Sequence, residues 1–141
     1  MEEEERWRRV EVEVETWPIT AAVDVPKVER IVENLLVNAA KHTPPATRVW
    51  VRVRREGEGV LIVVEDEGPG VPEELRQAVF EPFLQGRQLD PNRPGTGIGL
   101  SLVARFAGLH GGKVWVEERP GGGSSFKVFL PRAEARQARA S

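Results

Sequence analysis

Cysteine is absent from this chain of 141 residues. Disulfides and thiolate metal sites are therefore excluded, and a reducing compartment is compatible with the composition but not required by it. No apolar run approaches ~20 residues, the length a helix needs to cross a bilayer. Met1 is followed by four glutamates, an acidic start unlike a signal peptide. A large excess of one charge is also missing. Twenty Lys and Arg against 22 Asp and Glu leave a net charge of -2, which implies no general attraction to nucleic acid or to an anionic membrane. Only two histidines occur, His42 and His110. Neither G-x-G-x-x-G nor G-x-x-x-x-G-K-[ST] is found, which disfavours Rossmann and P-loop nucleotide sites. There is no internal repeat and no low-complexity linker.

What remains is an ordinary globular balance, 40% hydrophobic and 30% charged, in a chain long enough for one real core. Val10, Val12 and Val14 alternate with glutamates, the pattern of a half-buried strand. Asp24 suits a helix N-cap, with Pro26 in the first turn. Val28, Ile31, Val32, Leu35, Leu36 and Ala39 follow at helical spacing, and Pro44-Pro45 stop that helix by Thr43. Val49, Val51 and Val53 alternate with Trp50, Arg52 and Arg54 as a second strand. Residues 60–64 are nearly all apolar and read as a central strand buried on both faces. Pro72-Glu73-Glu74 opens a short helix with acid in its first turn. Residues 85–95 read as a mobile loop. Leu100, Val103, Ala104 and Ala107 mark a further helix, ended by Gly111-Gly112. Residues 113–117 and 125–130 read as two more strands. The expectation is one α+β domain over residues 1–131, with about five strands, three main helices layered on one sheet face and a frayed tail at 132–141.

Several short patterns carry possible chemistry. Asn34, Asn38, Lys41 and His42 fall at i, i+4, i+7 and i+8 on one helical face. Asparagine is a poor mid-helix residue, so two in register invite a reason, although a solvated polar face also explains them. Asp66-Glu67-Gly68-Pro69-Gly70 follows the apolar strand. A carboxylate there can accept hydrogen bonds from an exocyclic amine, and the glycines let backbone approach a flat ligand. An acidic turn is the plainer reading. Gly95-Thr96-Gly97-Ile98-Gly99-Leu100 leads into a helix, where free backbone N–H groups and the helix dipole favour an anion. Phe80-Glu81-Pro82-Phe83 precedes the loop as a hydrophobic anchor, and Arg87 and Arg93 within the loop are candidate phosphate contacts.

The order of these patterns is more specific than any one of them. N-x-x-x-N-A-x-K, D-x-G-x-G, F-x-P-F, G-x-G-x-G-L and the closing Gly121-Gly122-Gly123-Ser124-Ser125-Phe126 follow one another. In this the chain resembles the ATP-binding catalytic domain of sensor histidine kinases, within the wider family that includes gyrase- and Hsp90-type ATPases. The resemblance spans residues 24–131 and covers that family's N, G1, F and G2 boxes.

The resemblance implies a two-layer α/β sandwich, the Bergerat ATP-binding fold, with a mixed sheet and a flexible ATP lid at residues 85–94. It implies ATP and Mg²⁺ as cofactors. Asn38 is similar to the metal-coordinating asparagine, supported by Asn34. Lys41 would contact phosphate, and His42 would lie near the nucleotide. Asp66 resembles the carboxylate that recognises the adenine amine, with Gly68 and Gly70 shaping the pocket. Phe83 belongs to the F box. Gly95, Thr96, Gly97, Ile98, Gly99 and Leu100 resemble the phosphate-side backbone, and Ser125 matches a position usually held by threonine near the aspartate. Gln85 departs from the arginine many relatives carry.

Position 34 holds asparagine where the ATPases carry a general-base glutamate, and Glu33 lies about 100° round the helix. This favours phosphoryl transfer to a protein over hydrolysis. Neither His42 nor His110 sits in an acceptor motif. The expected function is therefore transfer of the γ-phosphoryl group of Mg·ATP to a histidine on a separate dimerisation domain, with a response regulator downstream. The chain then reads as the catalytic part of a longer kinase or as a stand-alone partner. It is expected to be monomeric and cytoplasmic, with no nucleic-acid partner and no membrane insertion. A nucleotide-binding module without catalysis, an ATPase and an anti-sigma-factor serine kinase remain the alternatives.

Overall fold

A computed structural model describes residues 10–14, 21–44, 47–82 and 98–132. Strand β1 (Val10–Val14) is followed by helix α1 (Val25–His42) and by strands β2 (Val49–Glu56) and β3 (Gly59–Asp66). Two single 3-10 turns, Glu73–Leu75 and Ala78–Phe80, lead towards helix α2 (Gly99–Leu109). Strands β4 (Lys113–Glu118) and β5 (Ser124–Leu130) close the described chain. The expected lid residues 85–94 lie outside the described residues, as does the expected tail beyond Arg132, which pairs with Glu58 at 3.0 Å.

The five strands form one mixed sheet in the order β1-β2-β3-β5-β4. Only the β1–β2 pairing is parallel, with α1 as its crossover. The register aligns Val51, Val64, Phe126 and Val116 in one row, and Val53, Ile62, Val128 and Val114 in the next. Because side chains alternate along a strand, both rows face the same side. Residues of both rows join Ile31, Leu35 and Ala39 of α1 and Leu100, Val103 and Ala107 of α2 in a single buried core. The 3-10 turns lie on that side too, with the Phe80 ring edge-on to Phe126 at 6.1 Å between centroids. The short helix opened by Pro72-Glu73-Glu74 thus takes the tighter 3-10 form. Leu61 and Val63 point the other way and are also buried, as the continuous apolar run of β3 requires.

Helix α1 is fixed at both ends. Asp24 caps its N-terminus by accepting from Lys27 N–H at 3.3 Å. At the other end Thr43 is extended, as the residue before a proline must be, and its hydroxyl donates to Ala39 O at 2.7 Å. Asp24 N–H also donates to His110 Nε2 at 3.0 Å, at the C-terminal end of α2. Since Nε2 accepts, the imidazole proton resides on Nδ1 and is donated to Phe106 O at 2.8 Å. A buried neutral histidine therefore joins the two helices. Among the described residues no helix is long and apolar enough to cross a membrane.

Leu35 is fully buried between helix and sheet. Leu35→Ala is expected to cost about 3 kcal/mol through lost burial and the cavity it leaves, measured as a lowered midpoint in urea unfolding.

Candidate functional site

The site lies where the C-terminal half of α1, the end of β3, the 3-10 turns, the start of α2 and the start of β5 converge on a cavity of about 230 Å³. One wall is polar, formed by Asn38, His42, Asp66 and Ser124. The rest is mainly apolar, formed by Val71, Leu75, Val79, Leu100 and Phe126. A slot with apolar walls and a carboxylate at one end suits a flat ring that carries a hydrogen-bond donor on its edge.

Asp66 is 3% exposed. Its Oδ1 accepts from Gly68 N–H at 2.9 Å and from Ser124 N–H at 3.3 Å. Both backbone donors go to one oxygen, which leaves the acceptor sites of Oδ2 for a donor in the cavity. Burial raises the Asp66 pKa above the ordinary carboxylate value; the two backbone hydrogen bonds, and the charges of His42 and Arg119, oppose that rise.

Glycine is required at two places around this carboxylate. A Cβ on Gly68 would meet His42 O at 2.8 Å and Asp66 Oδ1 at 3.1 Å, so the turn closes against α1 only without a side chain. Gly123 has φ +111, and a Cβ there would stand 1.9 Å from Asp66 O. The bare backbone at Gly123 lets β5 start close enough for Ser124 N–H to reach the carboxylate.

Of the residues expected from the sequence, Asn38, His42, Asp66, Gly70 and Leu100 line the cavity. Gly68 borders it through its bond to Asp66. Asn34 lies one turn back on α1, its Oδ1 3.9 Å from the Cβ position of Gly99. Its Nδ2 is buried and has no hydrogen-bond partner among the described residues. Ile98 and Gly99 form the N-cap and first residue of α2. Lys41 is half-buried on α1 and is not part of the cavity lining. Phe83, Arg87, Gly95, Thr96 and Gly97 lie outside the described residues.

Ser125 is a correction. It pairs with Glu65, whereas Ser124 pairs with Asp66. The two-residue period of β5 turns Ser125 to the sheet face opposite the helices, so Ser124 is the serine at the cavity. Sequence reasoning also missed the apolar lining from Val71, Leu75 and Val79, for which irregular backbone gives no periodic signal. It missed Gly123 as well, although the glycine run was the available sign.

Residues 23–134 match the family described as histidine kinase-, DNA gyrase B- and HSP90-like ATPase. The alginate biosynthesis sensor protein KinB of Pseudomonas aeruginosa is 40% identical over 110 residues, covering 77% of this chain and 18% of KinB. Sensor histidine kinase TmoS of Ectopseudomonas mendocina is 44% identical over 115 residues, 80% of this chain and 12% of TmoS. The chain thus spans less than a fifth of the length of either relative. Among solved structures, a mycobacterial sensor histidine kinase, MprB, superposes with a TM-score of 0.73 at 34% identity, over 87% of this chain and 80% of that one.

Asp66→Asn keeps an acceptor for the two backbone N–H groups but loses the charge. In the ligand-free chain at neutral pH, a buried carboxylate with a raised pKa costs stability, and that cost fades as pH falls through its folded pKa. The variant is therefore expected to melt at or above the wild-type temperature at pH 7 while binding adenine nucleotide about tenfold or more weakly. Wild-type affinity should decline on acidification from a higher pH than an ordinary carboxylate would give, and the variant should lack that step. Calorimetric titration across pH measures both.

Proposed function

Since the chain belongs to the histidine kinase-, DNA gyrase B- and HSP90-like ATPase family and forms an ATP-binding domain of the histidine kinase kind, we propose that it holds Mg·ATP and delivers the γ-phosphoryl group to a histidine on a separate acceptor domain. The observation that carries the choice of chemistry is the carboxylate inventory. Asp66 is the one carboxylate lining the cavity among the described residues, and it is committed to the base. Glu33, beside the general-base position, is 62% exposed on its side chain and pairs with Arg30 at 3.6 Å. Asn34 cannot take up a proton.

In this reading Oδ2 of Asp66 accepts from the exocyclic amine of adenine. Val71, Leu75, Val79, Leu100 and Phe126 exclude water from the ring faces. The polyphosphate runs past Asn38 towards the start of α2, where backbone N–H groups and the helix dipole favour negative charge. The buried Nδ2 of Asn34 beside Gly99, without a partner among the described residues, supplies a further donor on that path.

The site fits a magnesium ion that takes most of its ligands from phosphate and water. No group of three or more His, Cys, Asp or Glu among the described residues could hold a metal alone, while Asn38 offers one hard amide oxygen. Bound there, the ion would neutralise charge that develops on the transferring phosphate.

The remaining contribution of the chain is positioning. The acceptor imidazole nitrogen forms the new N–P bond as the bond from γ-phosphorus to the ADP oxygen breaks. By this reading the parent protein works with a response regulator that takes the phosphoryl group onward, and the domain acts on the cytoplasmic side.

The chain mixed with ATP, Mg²⁺ and a separate acceptor domain should give acid-labile, base-stable phosphohistidine on the acceptor, and none on itself alone. Asn38→Asp is expected to lower that rate at least about a hundredfold without lowering the melting temperature, because its side chain serves the site rather than the core. Intact ATP binding with no phosphohistidine would reduce the domain to a nucleotide-binding module. Steady release of inorganic phosphate would make it an ATPase.

A further inference from the structure

The turn that brings Ser124 to Asp66 is itself held from the far face of the sheet. Arg119 N–H donates to Gly123 O at 3.0 Å, and Arg119 O accepts from Gly122 N–H at 2.9 Å. Its side-chain Nη1 donates to Gly122 O at 3.1 Å. One residue thus engages Gly122 and Gly123, the two glycines immediately before Ser124. The guanidinium then lies over the ring of Trp50 on β2, 4.0 Å from its centroid. The Trp50 indole N–H donates to the Glu11 carboxylate on β1 at 2.8 Å.

In the strand register Glu65 and Ser125 lie between Trp50 and β4. Both are buried, Ser125 to 2% exposure. A line of contacts therefore crosses the outer face of the sheet, from edge strand β1 to the β4–β5 hairpin. The chemistry described above uses neither Arg119 nor Trp50.

The hairpin needs such a brace. Gly121, Gly122 and Gly123 all have positive φ, at +92, +106 and +111. Three successive glycines have the greatest conformational entropy to lose on ordering. Yet the last of them must present Ser124 N–H to Oδ1 of Asp66 within a hydrogen-bond length.

We propose that Arg119, braced on Trp50, is a positioning residue for base recognition: it fixes the Gly122-Gly123 turn so that Ser124 N–H occupies Oδ1 of Asp66 and leaves Oδ2 for the exocyclic amine of the base. The proposal rests on the reading of Asp66 as the base-recognising carboxylate. The guanidinium charge acts in the same direction, since it favours the ionised form of Asp66. Without Arg119 the turn is loose and the carboxylate is no longer held in one rotamer. The penalty then falls on the base and not on the phosphates.

The test is calorimetric titration of the 141-residue chain with ATP and with inosine triphosphate, whose base lacks the exocyclic amine. Wild type is expected to prefer ATP, and Asp66→Ala to bring ATP down to the level of inosine triphosphate or below. Arg119→Ala should weaken ATP about five- to tenfold while inosine triphosphate changes by less than about twofold. Trp50→Phe, which keeps a ring under the cation, should retain most of the preference, and Trp50→Leu should lose as much of it as Arg119→Ala. A variant that is merely less folded shows fewer sites per chain for both nucleotides at an unchanged affinity ratio, so the ratio separates positioning from instability. Arg119→Ala with the wild-type ratio overturns the proposal. Absence of ATP preference in wild type, or its survival in Asp66→Ala, overturns the reading beneath it.

Discussion

A charged group at the end of an apolar central strand needs donors close by, and Asp66 obtains them from backbone alone. Gly68 N–H arrives from the turn that follows β3, and Ser124 N–H from the strand beside it. The second bond exists because β5 lies next to β3 with Asp66 opposite Ser124. Sheet order is thus a condition of the site. A strand other than β5 at that edge of β3, or a one-residue slip of β5, would remove the donor and turn Phe126 out of the cavity wall. Hydrogen bonds from fixed peptide N–H groups also cost little reorganisation when a ligand arrives, which suits a recognition carboxylate.

The other half of the site depends on α1 being fixed against the same sheet. Ile31, Leu35 and Ala39 form its buried stripe, and Asn34, Asn38 and His42 lie beside that stripe at the same spacing. One helix therefore serves core and site at once, and rotation about its axis would spoil both. Its ends resist that rotation. Asp24 is held by the neutral His110 that caps the C-terminus of α2, and the backbone at His42 is closely approached by Gly68. The contact at Gly68 ties the helix directly to the turn that feeds Asp66, so the two polar walls of the cavity share one fixed point.

Much of this was legible in the sequence, because the features concerned are periodic or local. Alternating valines in β2, the apolar run of β3, the Asp24 cap and the Pro44 stop each act within a few residues, and the structure places these elements accordingly. Asn38 and Asp66 were legible for the same reason. Features set by chain crossings were not. Which serine of Ser124-Ser125 faces the cavity depends on strand phase, fixed by pairing with β3, and the sequence alone allows either. Val71, Leu75 and Val79 lie on irregular backbone, where no period marks the buried side. The Asp24–His110 bond spans 86 residues, and Arg119 reaches Trp50 across two intervening strands. No local pattern reports such contacts. Arg87 is expected from its place in the loop, and Gly95, Thr96 and Gly97 from their motif; all four lie outside the described residues.

That the described residues offer no spare carboxylate at the cavity matters because the two candidate nucleophiles differ in what they require. Water attacks phosphorus well only if a base takes a proton from it, and a site built for hydrolysis must therefore hold an acceptor near the terminal phosphate. Neutral imidazole attacks through a nitrogen lone pair that is already free, so the attacking atom needs no deprotonation. Asn34 in place of a carboxylate, with Glu33 turned to solvent and paired to Arg30, leaves water without a base among the described residues while costing an imidazole nothing. On the proposed function, the asparagine face along the polyphosphate thus also disfavours its loss to solvent. Selection between transfer and hydrolysis then follows from proton accounting at the nucleophile, and it requires no contact with the acceptor domain.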